Sequence, residues 1–216
     1  MLPLRFEDIS SDDVVRLVAD KVSERKILEY KQALNIRGQE DRAEFLADVS
    51  SFANASGGDI IFGVSEERDE NGQPTGVPSD IVALQIGNAA TECARIEQLI
   101  GSGIQPRIPV VEVKGIEVSV RGLVIVVRVG KSWIAPHMVN YANRSRFFSR
   151  NSSTGKVQLD VQQIGASYAL QRGLGERVRG WKTDRIAKAI ANEGPVPMQG
   201  SRLLYHFISA SALMSE

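Results

Sequence analysis

Hydrophobic and polar positions along the chain alternate between two periods, and the switches mark the elements. From Ile9 to Val22 the apolar residues Val14, Leu17, Val18 and Val22 recur at helical spacing. Ser10 or Ser11 stands at the cap, and Asp12 and Asp13 fall in the first turn, where the helix dipole favours acids. Ile27 to Ala33 reads as a strand, with Ile27, Glu29 and Lys31 on one face and Leu28, Tyr30 and Gln32 on the other. Glu40 to Ala55 returns to helical spacing, with Phe45, Val49 and Phe52 as its apolar stripe and Asp41, Arg42, Glu44 and Asp48 away from it. Asn54 and the pair Gly57-Gly58 end that helix, and Ile60 to Val64 is a short buried strand.

Further on, Glu67 to Asp80 is dense in turn formers and predicts a polar loop. Ser79 to Ile100 predicts a long helix with Ile81, Leu84, Ile86, Cys93, Ile96 and Leu99 inward, closed by Gly101 to Gly103. Val110 to Val113, Glu117 to Val120 and Leu123 to Val129 predict strands joined by tight turns at Lys114-Gly115 and Arg121-Gly122. Val124 to Val127 is apolar throughout, as suits a central strand covered on both faces. Arg146 to Arg150 is a last strand, followed by the hydroxyl-rich turn Asn151 to Gly155 and a helix from Asp160 to Leu170. Residues 173–182 read as a basic linker and Thr183 to Asn192 as a short helix. Residues 201–216 are an apolar segment, either a helix that docks on another subunit or the stub of a longer chain. The pattern is that of an α+β domain over residues 1–172 with a small helical appendage over 173–216.

Composition narrows the classes. At 216 residues and 43% apolar the chain can bury one good core. One cysteine, Cys93, rules out a disulfide framework, and with only His137 and His206 besides, zinc is a poor fit. No run approaches the roughly 20 apolar residues of a membrane span, and the start, MLPLRFEDISSDD, lacks the pattern of a secretory signal. A cytoplasmic protein is expected. The net charge of zero hides an asymmetry, since residues 121–190 hold 13 Lys and Arg against 3 Asp and Glu. That stretch is interleaved with Tyr141, Phe147, Phe148 and Trp181, which can stack on bases. Either it attracts a polyanion, or acidic parts of the molecule or of a second subunit neutralise it.

Candidate chemistry concentrates in the first third. Glu29 and Lys31, two residues apart on one strand face, can hold a divalent metal and neutralise a phosphate beside it, and Glu24 sits at the strand's entrance. The plain alternative is a solvated ion pair worth at most about 1 kcal/mol. Cys93, mid-helix, reads as a core thiol, and His137, beside Pro136, as a loop or core hydrogen-bonder. The turn Asn151 to Gly155 offers donors to phosphate or is an ordinary hydroxyl turn. Val129-Gly130-Lys131-Ser132 ends like a phosphate-binding loop, but Ile125 stands where its first glycine is required, and the motif fails.

The segment Glu24-x4-Glu29-Tyr30-Lys31, with FLADVSSFANASGGDIIFGVSE after it, resembles the signature of the AlbA_2 or Schlafen-type domain. Ile104-Gln105-Pro106, Leu123 to Val129, Pro136-His137 and the run from Phe148 to Thr154 fit the later segments of that family in order, so the likeness covers roughly residues 20–170. It implies a Schlafen/AlbA_2-like mixed sheet flanked by helices. It implies nucleic-acid binding, to tRNA-like RNA in preference to DNA, for which the basic stretch and its hydroxyl-rich turn offer Arg144, Arg146, Phe148, Arg150, Ser152, Ser153, Thr154 and Lys156. It also implies an alternative, a metal-dependent endoribonuclease in which Glu24, Glu29 and an acid after Gly63-Val64 act with Lys31. The family's acidic position is Ser65 here, followed by Glu66 and Glu67. Mg²⁺ or Mn²⁺ is the implied cofactor, with Glu24, Glu29 and Glu66 as ligands. A regulatory or protein-interaction domain of a bacterial-type system is a third reading. Members with two tandem lobes form a basic channel that one copy cannot enclose, so a homodimer is expected.

Overall fold

In the computed structural model, residues 2–118, 122–151 and 155–193 are described. The stretch of residues 123–129, apolar except at Arg128, is the strand on which the rest is built. This strand, β7 (Leu123–Val129), lies antiparallel between β2 (Gly58–Phe62) and β6 (Val111–Glu117), and β1 (Leu28–Lys31) adds parallel to β2 with Glu29 opposite Ile60. Alternation sends Ile60, Phe62, Ile125, Val127 and Val129 to one face, under helices α2 (Gln39–Ala53) and α3 (Ala89–Gly103). Leu28, Tyr30, Ile61, Val124 and Val126 face the other way, against Leu2, Phe6, Ile9 and the Val14 and Leu17 stripe of α1 (Ser11–Ala19). A strand buried on both faces has to be apolar at successive positions, and β7 is from Leu123 to Val127.

A second sheet runs in the order β10 (Gly155–Gln158), β9 (Arg144–Asn151), β8 (Met138–Tyr141), β5 (Ile104–Gln105), all antiparallel. It packs on α2 from the side opposite the first sheet, with Val139 buried in the same cluster as Phe45, Val49 and Phe52 and Phe148 packed against it. The two-residue turn Ala142-Asn143 joins β8 to β9 with φ of 55° and 59°, the mirror-image turn that matches strand twist.

Several expected elements differ. Residues 64–81 form a hairpin of β3 (Val64–Arg68) and β4 (Pro74–Ile81), so the turn formers mark only its tip, where Asp69 Oδ1 accepts from the amides of Asn71 and Gln73. The helix expected from Ser79 begins at Ala89, after Asn88 caps it by accepting from the Thr91 amide at 2.9 Å. Ile81 instead ends β4, and Leu84 bridges to Leu123. β6 runs unbroken through Lys114-Gly115, since Gly115 marks a close approach and no turn: a Cβ there would come within 2.9 Å of Ala89 Cβ. Asp48, placed off the apolar stripe of α2, is buried, because a helix between two sheets has no solvent face over Phe45–Ala53.

The chain divides after Asp160. The second unit is described as one helix, α4 (Val161–Ala191), which takes in residues 173–182, the stretch expected to be a linker. The apolar segment 201–216 lies outside the described residues. Among the described residues no helix is long and apolar enough to cross a membrane.

Candidate functional site

The alternation of β1 turns Leu28 and Tyr30 into the core and aims Glu29 and Lys31 at α2. Glu29 is only 7% exposed. Its Oε1 lies 2.5 Å from Lys31 Nζ, and its Oε2 accepts from Arg150 of β9, whose guanidinium stacks 4.1 Å over the Phe52 ring. Lys31 continues to Asp48 at 3.3 Å, Asp48 meets Lys156 of β10 at 2.7 Å, and Lys156 also pairs with Glu44. Acids and cations thus interleave through four elements. Burial alone would raise the Glu29 carboxyl, but Lys31 and Arg150 outweigh it and hold it below its usual value. Burial would likewise lower Lys31, and Asp48 and Glu29 push it up instead. Asp48 is raised by burial and by the charge of Glu29, against the pull of both lysines.

Sequence reading missed Asp48 and gave Asn54 only a helix-stopping role. Asn54 Nδ2 donates to the carbonyls of His137 and Phe148 at 2.9 and 2.8 Å, and its Oδ1 accepts from the His137 amide at 2.7 Å. One side chain therefore ties the end of α2 to the second sheet and so fixes where Arg150 sits. Gly58 does related work: with φ of 150°, a Cβ there would lie 2.4 Å from the Ile27 carbonyl oxygen, so only glycine lets β2 close on β1. His137 is fully buried, its Nδ1 donating to the Pro106 carbonyl at 2.7 Å, and burial lowers its pKa.

On the other side of Lys31 lies a cavity of about 350 Å³ lined by Glu24, Glu29, Lys31, Glu66 and Arg68 among others. Glu24 Oε1 accepts from the Tyr30 amide at 2.6 Å, and Glu66 Oε2 from the Gly76 amide at 3.1 Å. Burial, with Glu66 and Glu29 adding repulsion, pushes the Glu24 carboxyl up to about 7, and burial raises Glu66 too. Glu67 turns away and pairs with Lys21 at 2.7 Å, while Ser65 Oγ sits 2.9 Å from Ser79 Oγ. Three of the four expected carboxylates therefore share a cavity. They do not fit a shared Mg²⁺ or Mn²⁺ ion as arranged: among the described residues no three acid, histidine or cysteine groups converge closely enough to hold one. Both oxygens of Glu29 already face cations.

The expected basic face is divided. Arg128 pairs with Asp59 at 2.7 Å, and Arg150 and Lys156 are held inside the ladder just described. Neutralisation within the molecule thus takes up much of the positive excess in this unit. Arg144 makes an exposed pair with Glu40 at 2.9 Å, and Arg146, also exposed, has no acidic partner among the described residues. Phe148 packs against the core beside them. Ser152, Ser153 and Thr154 lie outside the described residues.

Comparison with curated proteins finds no match. Among solved structures, the chain is similar to the N-terminal domain of a putative ATP-dependent DNA helicase RecG-related protein from Nitrosomonas europaea. Identity is 19% and the TM-score 0.42, over 57% of this chain and 74% of that one. The family model described as Schlafen, AlbA_2 matches residues 24–158, a span running from Glu24 through β10 and containing both the buried ladder and the acidic cavity. The chain belongs to the Schlafen, AlbA_2 family.

Proposed function

We propose that the unit Met1–Asp160 is a nucleic-acid-binding module that meets the phosphate backbone with the outer end of β9. The observation that supports this reading is Arg146, an exposed cation with no acidic partner among the described residues. Beside it, Arg144 is tied only to Glu40, itself 73% exposed, and surface pairs of that kind are worth about 1 kcal/mol or less. A phosphate can displace such a partner. Fluorescence polarisation with labelled RNA and DNA 12-mers over a salt series tests the reading and separates the two polymers. Binding should weaken with salt, and Arg144→Gln/Arg146→Gln should flatten the slope of log K against log salt by about 1.4 for single strands. Salt-independent or absent binding would favour a protein partner.

A second reading, RNA cleavage at the acidic cavity, is favoured by one observation, the Glu24 carboxyl near 7 beside the charged Lys31. A carboxyl at that value can accept a proton from an attacking hydroxyl at neutral pH and return it, and Lys31 faces the charge that develops on a phosphoryl group. End-labelled tRNA incubated with and without Mn²⁺ tests it. Cleavage by the native chain and none by Glu24→Gln supports this reading, and intact tRNA in both arms removes it.

A further inference from the structure

We infer that the cavity between α2 and the β8–β9 hairpin is a pocket for one unpaired nucleobase, with the adjoining phosphate on Arg146. This rests on the nucleic-acid reading above and gives it a position. The cavity measures about 100 Å³ and is lined by Ala43 and Ala47 of α2, Val139 and Tyr141 of β8, and Arg146 and Phe148 of β9. Ala43 and Ala47 lie one helical turn apart on the wall that α2 contributes. Its walls supply what a base face needs, an apolar floor with two aromatic rings and a cation at the rim. Glu40 and Glu44, also lining it and 73% and 68% exposed, pair with Arg144 and Lys156.

Charge complementarity selects the occupant. The inner cations of β9 and β10 are held by Glu29, Asp48 and Glu44, and Arg144, also lining the cavity, is paired with exposed Glu40. Among the described residues the rim cation without an acidic partner is therefore Arg146. An apolar slot beside one open cation suits a base and its phosphate. Paired bases are stacked inside a duplex and cannot enter, so the ligand is a single strand or a loop. Tyr141 ends β8 at the pocket's edge, directly before the tight Ala142-Asn143 turn with φ of 55° and 59°.

Polarisation titrations with 5′-labelled oligo-U and oligo-A 12-mers and a 12-base-pair RNA duplex test the assignment. The native chain should bind the single strands more tightly than the duplex. Ala43→Leu, which fills the cavity without changing charge, should weaken single-strand binding by roughly five- to fifty-fold and leave the salt slope unchanged. Tyr141→Leu, which keeps the fold's apolar surface but removes a ring, should act in the same direction, so the outcome does not hang on one variant's folding. Arg146→Gln should weaken binding and flatten the salt slope by about 0.7. Single strands bound equally well by native chain, Ala43→Leu and Tyr141→Leu would overturn the pocket while leaving nucleic-acid binding standing. Duplex bound as tightly as single strand would also overturn the pocket. No binding of any probe by the native chain would overturn both.

Discussion

Arg146 and Arg150 stand four residues apart on the same strand, and the strand's alternation puts them on the same face. At the inner end, β9 lies over α2 and β1, and Arg150 is buried against Glu29 and the ring of Phe52. At the outer end β9 faces the first turns of α2 across a cavity, and Arg146 stays in water without an acidic partner among the described residues. The contrast shows that an arginine-rich strand is not one functional surface: depth under α2 decides which cations hold the fold together and which meet a ligand.

The largest effect should come from breaking the inner end. Glu29→Ala leaves Arg150 and Lys31 short of a carboxylate in a buried place, and loss of one partner from such a pair costs about 3–5 kcal/mol. Urea denaturation reads this directly, and a loss under about 1 kcal/mol would show that the inner end is not locked. Next, Glu29→Gln combined with Arg150→Met should be less destabilised than the sum of the single changes by about 1.5 kcal/mol or more, because no orphaned charge remains. Additive losses would dissolve the comparison.

A third, smaller effect is in pH. The Glu24 carboxyl sits at about 7 in the fold against 4.5 outside it, so the folded state holds a proton that the unfolded chain has released. Its contribution is therefore complete below about 4.5 and is lost as pH rises through about 7. The stability of Glu24→Gln relative to the native chain should grow across that window and level off above it, by about 1–2 kcal/mol once partial exposure is allowed for. A flat difference from pH 4 to 8 would place Glu24 in open solvent. The smallest effect belongs to the outer end, where Arg146→Ala should change stability by no more than about 0.5 kcal/mol, whatever it does to binding.

Much of this was readable locally. The alternation of residues 27–33 gave Glu29 and Lys31 their shared face, the apolar run at 124–127 gave the central strand, and Ser10 stands at the N-cap of α1, its amide and hydroxyl both donating to the Asp13 carboxylate at 2.9 and 2.7 Å. The site was half legible: Glu24, Glu29 and Lys31 stood out, whereas Asp48 looked like an outward acid and Asn54 like a helix stop. Those readings assumed a helix with one wet face, and two sheets on α2 remove that face. The hairpin over 64–81 and the unbroken β6 were missed for a related reason, since turn formers and glycines mark close approaches as readily as chain reversals.

By itself, then, the sequence determined which side chains share a face, where the buried strand runs and which family signature the chain carries, because those depend on spacing within a few residues. Only the tertiary structure decided the partners of the charges. Glu29 and Arg150 lie 121 positions apart, and no periodicity relates them. Whether a carboxylate ends up below its usual value like Glu29, or near 7 like Glu24, depends on which cation the fold carries to it and how much water it leaves there.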